Sequence, residues 1–208
     1  MIDEHTTIPA ASEWPPVVVR TRPAADLTAD EFFDLCQLNT DLRFERTAQG
    51  DILIMPPTGG VTSARNSRLV QQLVQWADRD GTGVVFDSSG GFNLPDGATR
   101  APDVAWVRRS RLAALSAQQK EKFLPLCPDF VIELCSPSEP VKNAQAKMDE
   151  YIANGAQLGW LIDPAERRVY VYRPGTPVEC FTSLTSIAGD PTLPALVVDP
   201  GRIWDPGI

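Results

Sequence analysis

The chain has a single histidine, His5, among its 208 residues. A catalytic triad, a zinc centre or a histidine-driven acid–base pair needs an imidazole on a folded element, and the sequence leaves no place for one. Cysteine is also sparse. Cys36, Cys127, Cys135 and Cys180 are far apart and form no CxxC pair. That argues against a zinc knuckle or a redox dithiol and leaves them as buried small hydrophobes in a reducing compartment. No apolar run approaches the roughly 18 residues of a membrane span. The opening MIDEHTTIPAASEW lacks the apolar segment of a signal peptide, so the expected location is cytoplasmic. Internal repeats and low-complexity linkers are missing too. Demanding chemistry here must come from carboxylates, lysine and a bound metal.

What is present suits one folded domain. Apolar residues make up 43% and charged residues 22% of the chain, enough to bury a proper core. The net charge of −8 weighs against tight, non-specific binding to nucleic acid, although a local patch and a bound cation can suffice.

Residues 1–16 read as a tail and VVVR (17–20) as a short strand. Thr28 and Glu31 match a capping box that opens a helix running to Leu38. RFERTAQGDILIM reads as a hairpin, Arg43–Thr47 and Asp51–Met55 around a turn at Gln49-Gly50. A long helix spans Thr62 to Asp80, with Leu69, Val70, Leu73, Val74 and Ala77 on one face. Strands follow at 84–87, 91–94 and 101–107, then one solvent-facing helix over 109–122. DFVIELC (129–135) is the strongest strand. A helix from Val141 to Asn154, closed by Gly155, and strands at 158–163, 167–173 and 178–181 complete the chain. This order predicts an α/β domain with a mixed sheet.

Two strands carry acids on otherwise apolar surfaces. In DFVIELC, Phe130, Ile132 and Leu134 face one way and Val131, Glu133 and Cys135 the other. In APDVAWV, Val104 and Trp106 face one way and Asp103, Ala105 and Val107 the other. A buried carboxylate is protonated, ion-paired or metal-bound, so both acids could aim at one cation, or each could pair with an arginine such as Arg100. Lys147 stands beside Tyr151 at the edge of a helical stripe formed by Ala144, Met148, Tyr151 and Ile152. It is either a lysine reaching the end of the preceding strand or one snorkelling to the surface. Glu45 is a third acidic candidate, or an ordinary solvent-facing strand residue.

These residues recur in an order that resembles a known family. Pro102-Asp103, Glu133-Leu134-Cys135-Ser136-Pro137-Ser138, Lys147, Tyr151, Gly155 and Trp160-Leu161-Ile162-Asp163-Pro164 resemble the core of the Uma-two family of restriction endonucleases. That family is a branch of the PD-(D/E)XK nuclease superfamily, and the likeness covers about residues 25–205. It implies a restriction-endonuclease-like α/β core, a mixed β-sheet flanked by helices, with an N-terminal β-hairpin extension. The organisation would be a tail and short strand over 1–24 and a nuclease-like domain over 25–208. It also implies hydrolysis of DNA phosphodiester bonds with Mg2+ or Mn2+ held by Asp103 and Glu133, and with Lys147 and Glu45 completing the catalytic set.

One departure from the superfamily matters. The superfamily's lysine normally sits two residues after the acid on the same strand, and here that position is Cys135. The Uma-two pattern moves the lysine to the next helix, where Lys147 stands. A histidine common in relatives at the start of the long helix is absent, with Asn66 the nearest polar residue. Lys147, placed on the core's rim, should tolerate removal at a cost of about 1 kcal/mol. A homodimer is expected, because cutting both strands of a duplex suits two sites on a two-fold axis. Trp76, Trp106, Trp160 and Trp204 exceed what a small core needs and could serve that contact. The alternative is a non-catalytic binding or regulatory protein on the same fold.

Overall fold

The computed structural model describes residues 16–22, 25–136 and 140–208. Expectations that fall on 1–15, 23–24 and 137–139, including those for His5, Pro137 and Ser138, lie outside the described residues.

In chain order, the first half runs β1 (Val17–Val19), α1 (Ala29–Leu38), β2 (Arg43–Arg46), β3 (Ile52–Met55), α2 (Gly60–Asp80), β4 (Gly83–Asp87), β5 (Phe92–Asn93) and β6 (Thr99–Arg100). The second half runs β7 (Val104–Arg108), α3 (Arg109–Ala113), α4 (Ala117–Lys120), β8 (Phe130–Leu134), α5 (Val141–Ala153), β9 (Leu158–Asp163), β10 (Arg168–Tyr172), β11 (Glu179–Thr182), β12 (Ile187–Ala188), β13 (Val197–Val198) and α6 (Gly201–Trp204).

A small antiparallel sheet has the order β1-β3-β2-β6-β5. Its centre is the expected hairpin, with Arg43 opposite Met55 and Arg46 opposite Ile52. The turn closes through Gly50, whose N–H donates to the Thr47 carbonyl at 2.9 Å. Gly50 has φ +91°, which an L side chain rarely adopts. The Thr28 capping box opens α1 as the sequence predicts.

The large sheet has the order β11-β10-β9-β8-β7-β4. Only β8 and β9 run parallel, joined by α5 as the crossover that a parallel pair requires. This is the mixed sheet flanked by helices. Leu69, Leu73, Trp76 and Ala77 of α2 cover the face carrying Val104, Trp106, Phe130 and Ile132. Ala144, Met148 and Tyr151 of α5 cover the face carrying Ala105, Val107, Val131 and Cys135. The pleat inferred from the two apolar strands therefore holds on both faces.

Several expectations need correction. The stretch 101–107 is not one strand. Thr99 and Arg100 belong to the small sheet, β7 begins at Val104, and Ala101-Pro102-Asp103 carries the chain from one sheet to the other. The helix over 109–122 is two short helices, because Ser116 restarts the turn with its own capping box to Gln119. On α2, Trp76 takes the core place assigned to Val74, which is exposed; positions 69, 73, 76 and 77 make the helical stripe and 74 falls off it. The four tryptophans gather in one core cluster, Trp204 at its edge, so none offers a separate contact surface. Cys127 and Cys135 are buried, but Cys36 is half-buried and Cys180 exposed. β12, β13 and α6 close the core with Ile187, Val198 and Ile203.

Gly83 in β4 lies against the Trp106 indole, and a Cβ placed there would come within 2.1–2.3 Å of three of its ring atoms. Trp106 is buried and cannot swing away. Gly83→Ala should therefore destabilise the fold by about 1–3 kcal/mol, read by chemical denaturation; unchanged stability would refute this packing.

Candidate active site

Three separate parts of the chain meet around Lys147. The α5 stripe that buries Ala144, Met148 and Tyr151 also includes position 147 by spacing, so the lysine points inward and its side chain is 16% exposed. Its Nζ lies 2.8 Å from Glu45 Oε1 on β2 and 2.8 Å from Glu133 Oε1 on β8. Both carboxylates are buried. The Tyr151 hydroxyl donates to Glu133 Oε1 at 3.0 Å.

Glu45 is held from the small sheet as well. The Ala101 N–H donates to its Oε1 at 3.1 Å, and Arg100 Nη1 donates to its Oε2 at 3.1 Å. Arg100 also grips Glu150 of α5, through Nε at 2.5 Å and Nη2 at 3.1 Å. The arginine pairing weighed for Asp103 and Glu133 thus goes to Glu45 and Glu150 instead.

Asp103 sits where the chain enters β7. Val104 of β7 pairs with Ile132 of β8 across antiparallel strands, and Asp103, in the residues leading into β7, lies close enough to Glu133 for its charge to be felt there. Its Oδ2 accepts the Leu134 N–H at 2.8 Å, and its Oδ1 accepts Asn66 Nδ2 at 2.8 Å. Asn66 belongs to α2. Asp103 is therefore fixed from the α2 side and Glu133 from the α5 side. Asp103 and Asn66 also line a cleft of about 400 Å³ with Asp87 at the end of β4.

The electrostatics follow from one lysine serving two buried acids. Burial raises the Glu45 carboxyl, but Lys147, Arg100 and the Ala101 N–H together overcome it and hold the group down at about 2. Glu133 shares Lys147 but has no arginine, and it feels the charges of Asp103 and Glu45. Burial, the largest effect, wins and pushes it up to about 7. Burial also opposes the Lys147 charge, yet Glu133 and Glu45 hold it above the ordinary lysine value, so it remains an ammonium.

Glu45, Glu133 and Lys147 are in direct contact, and Asp103 adjoins them through the Leu134 backbone. Arg100, Glu150, Tyr151 and Asp87 escaped the sequence reading as site residues. Tyr151 was within reach, four residues after Lys147 on the same stripe. The others depend on how the two sheets meet. Lys147 lies between two buried acids rather than on the core's rim, so its removal should cost more than the about 1 kcal/mol expected of a rim residue. Leaving these unpaired costs about 3 kcal/mol or more. Among the described residues no three His, Cys, Asp or Glu side chains form a metal cluster. Two adjacent carboxylates fit a hard cation that keeps water and substrate oxygens in its shell, as Mg2+ does.

The raised Glu133 has a defined pH signature. Its value in the folded chain lies above the ordinary 4.5, so its contribution to stability is present below about 4.5 and is lost as pH rises through about 7. Without added metal, Glu133→Gln should gain stability relative to the unmodified chain between pH 5 and 8, by up to about 3 kcal/mol. Thermal unfolding across that range tests it, and a constant difference would refute it.

The Uma2 family model, described as "Putative restriction endonuclease", matches residues 29–201. A comparison with curated proteins gives no match. Among solved structures the chain is similar to a "putative nuclease" from Anabaena variabilis ATCC 29413, with 23% identity and a TM-score of 0.69, over 86% of this chain and 98% of that one. At that identity the likeness establishes the fold. The family match spans most of the chain, and the chain belongs to the Uma2 family of restriction-endonuclease-like proteins.

Proposed function

We infer that the chain is a metal-dependent endonuclease hydrolysing phosphodiester bonds of DNA, with Mg2+ or Mn2+ held by Asp103 and Glu133. The charge balance of the site carries this reading. Glu45, Asp103, Glu133 and Glu150 converge with only Lys147 and Arg100 to offset them. Carboxylates outnumber cations here, an imbalance that a divalent cation would offset. Such a cation, when bound, compensates charge on the phosphoryl oxygens and lowers the pKa of its water.

The protein's own groups divide the remaining work. Lys147 is kept protonated, so it donates: it orients the attacking water or steadies charge developing on the phosphoryl oxygens. Both Glu45 oxygens are engaged, by Lys147, Ala101 and Arg100. Glu45 therefore positions Lys147, and a second cation would have to displace those partners. Asn66 and the Leu134 N–H fix the Asp103 carboxylate, and Tyr151 fixes Glu133. Cys135 is buried, and a neutral thiol cannot replace the ammonium.

Cleavage of plasmid, single-stranded DNA and RNA with Mg2+ or Mn2+ tests the reading. Lys147→Ala should abolish cleavage, even at a temperature where the destabilised variant stays folded. Cys135→Ala and the exposed Lys142→Ala should keep most activity. Normal cleavage by Lys147→Ala would reassign the ammonium. The net charge of −8 favours the second reading, a binding protein on the nuclease fold, which predicts metal-independent nucleic-acid binding and no cleavage.

No helix among the described residues is long and apolar enough to cross a membrane. A cytoplasmic homodimer is the working form we propose, since paired sites cut both strands of a duplex in one encounter. Light scattering at tens of micromolar should show twice the mass of one chain, and a monomer would overturn the pairing.

A further inference from the structure

Arg43 is a cation beside the site that none of the site's acids takes up. On β2 it faces the same way as Glu45, while Arg46 turns to the opposite face, over the Phe32 ring and onto the Leu27 and Thr28 carbonyls. β2 pairs with β6 at Arg46 and Thr99. Beyond that point two side chains of β2 hold the departing chain. Glu45 accepts the Ala101 N–H, and Arg43 Nη2 donates to the Ala101 carbonyl at 2.8 Å. Ala101 is two residues from Asp103, so their Cα atoms are at most about 7 Å apart. The guanidinium therefore stands at the edge of the site.

Its charge is unmatched. Lys147 is paired with Glu45 and Glu133, and Arg100 with Glu45 and Glu150. Arg43 is half-buried and forms no ion pair among the described residues, although the chain has 27 acidic side chains. Nη2 serves Ala101, and Nε is buried without a partner. Nη1 has no hydrogen bond either, but it is not buried, so a ligand can reach it. A second cleft, of about 420 Å³, adjoins it. Arg43, Arg100, Thr40 and Ser89 are among the lining residues, and no Asp or Glu is among the described ones. It meets the cleft beside Asp103 at Ser88, which lines both. Carboxylates thus lie on one side of Ser88 and a spare guanidinium on the other, the group best suited to grip a phosphate.

We propose that Arg43 binds a backbone phosphate of the substrate, the one adjoining the phosphate that is cleaved. The proposal rests on the nuclease reading above and adds to it how an acidic chain holds a polyanion at this point. Such a contact positions the strand and reads no base.

Cleavage with Mg2+ and equilibrium binding in EDTA test this on one oligonucleotide, single-stranded and duplex, between about 50 and 200 mM salt. Arg43→Gln should weaken binding and kcat/KM about ten-fold at the low end, the worth of one charged hydrogen bond. It should also lower the salt slope by about 0.9 on duplex DNA or about 0.7 on a single strand, as loss of one phosphate contact does. Arg43→Lys should keep the slope. Arg109→Gln is the control: that arginine also holds a backbone carbonyl, of Gly81, but past the far end of β7, and the slope should not move. A neutral methylphosphonate at the phosphate next to the mapped cut should weaken the unmodified chain and cost Arg43→Gln nothing further. If Arg43→Gln does not fold, the methylphosphonate scan on the unmodified chain and Arg43→Lys decides. A folded Arg43→Gln with the unmodified slope, or a scan with no effect beside the cut, makes Arg43 a strut for Ala101 and overturns the phosphate site while the nuclease reading stands. An Arg43-dependent slope with no cleavage of any nucleic acid keeps a phosphate site and removes the nuclease reading. Neither binding nor cleavage removes both.

Discussion

One ammonium between two buried carboxylates holds this architecture together. Lys147 reaches Glu133 on the large sheet and Glu45 on the small one, so a helix and both sheets share a single point charge. Its removal would leave two acids facing each other in a dry interior, where like charges repel strongly. The Arg100 fork to Glu45 and Glu150 adds a second clamp across the same seam. The docking of the small sheet follows from how these two cations are distributed, and so does the difference between Glu45 and Glu133, two buried acids of which only Glu45 has the arginine. Glu45 has both of them and is held well below the ordinary carboxylate range; Glu133 shares only Lys147, and burial pushes it up.

On the nuclease reading, a chain with an excess of acids must still approach a polyanion. Its charges are distributed unevenly along the sequence. From Ile52 to Ala77 there is no Asp or Glu, while Arg65 and Arg68 fall within that span. The segment contains α2 and the residues leading into it, one wall of the cleft beside Asp103. That wall of the cleft is thus free of acids, whereas Asp87 and Asp103 line the other. Net charge describes the behaviour of the whole surface in solution, whereas approach to the site depends on local charge.

Much of this was legible in the sequence where the signal is local. The pleats of β7 and β8 appear as alternating residues, the Thr28 cap as a four-residue motif, and Lys147 as a position on the stripe of Ala144, Met148 and Tyr151. The failures share a cause. APDVAWV reads as one strand, because only Pro102 hints that the chain changes sheets there. Arg100 and Glu150 look like surface charges until that change of sheet brings them together. The stretch 109–122 reads as one helix because Ser116 and Gln119, which restart the turn, stand within a run of good helix formers. β12 and β13 are two residues each, too short for periodicity to register. Nothing in the local pattern around Asn66 ties it to Asp103, 37 residues away.

The β8–α5–β9 unit has a consequence for the order of events during folding. Glu133, Lys147 and Tyr151 all lie within it, and the Tyr151–Glu133 bond spans only 18 residues. The Lys147–Glu45 bond spans 102. Short-range contacts close sooner because their loops cost less entropy. The helix and strand can therefore pair their charges while the small sheet is still undocked, when Lys147 has one partner and water can still reach it. Arrival of Glu45 then expels that water and completes the site. On this view the chemistry matures late, as a final annealing step of a core that is already formed.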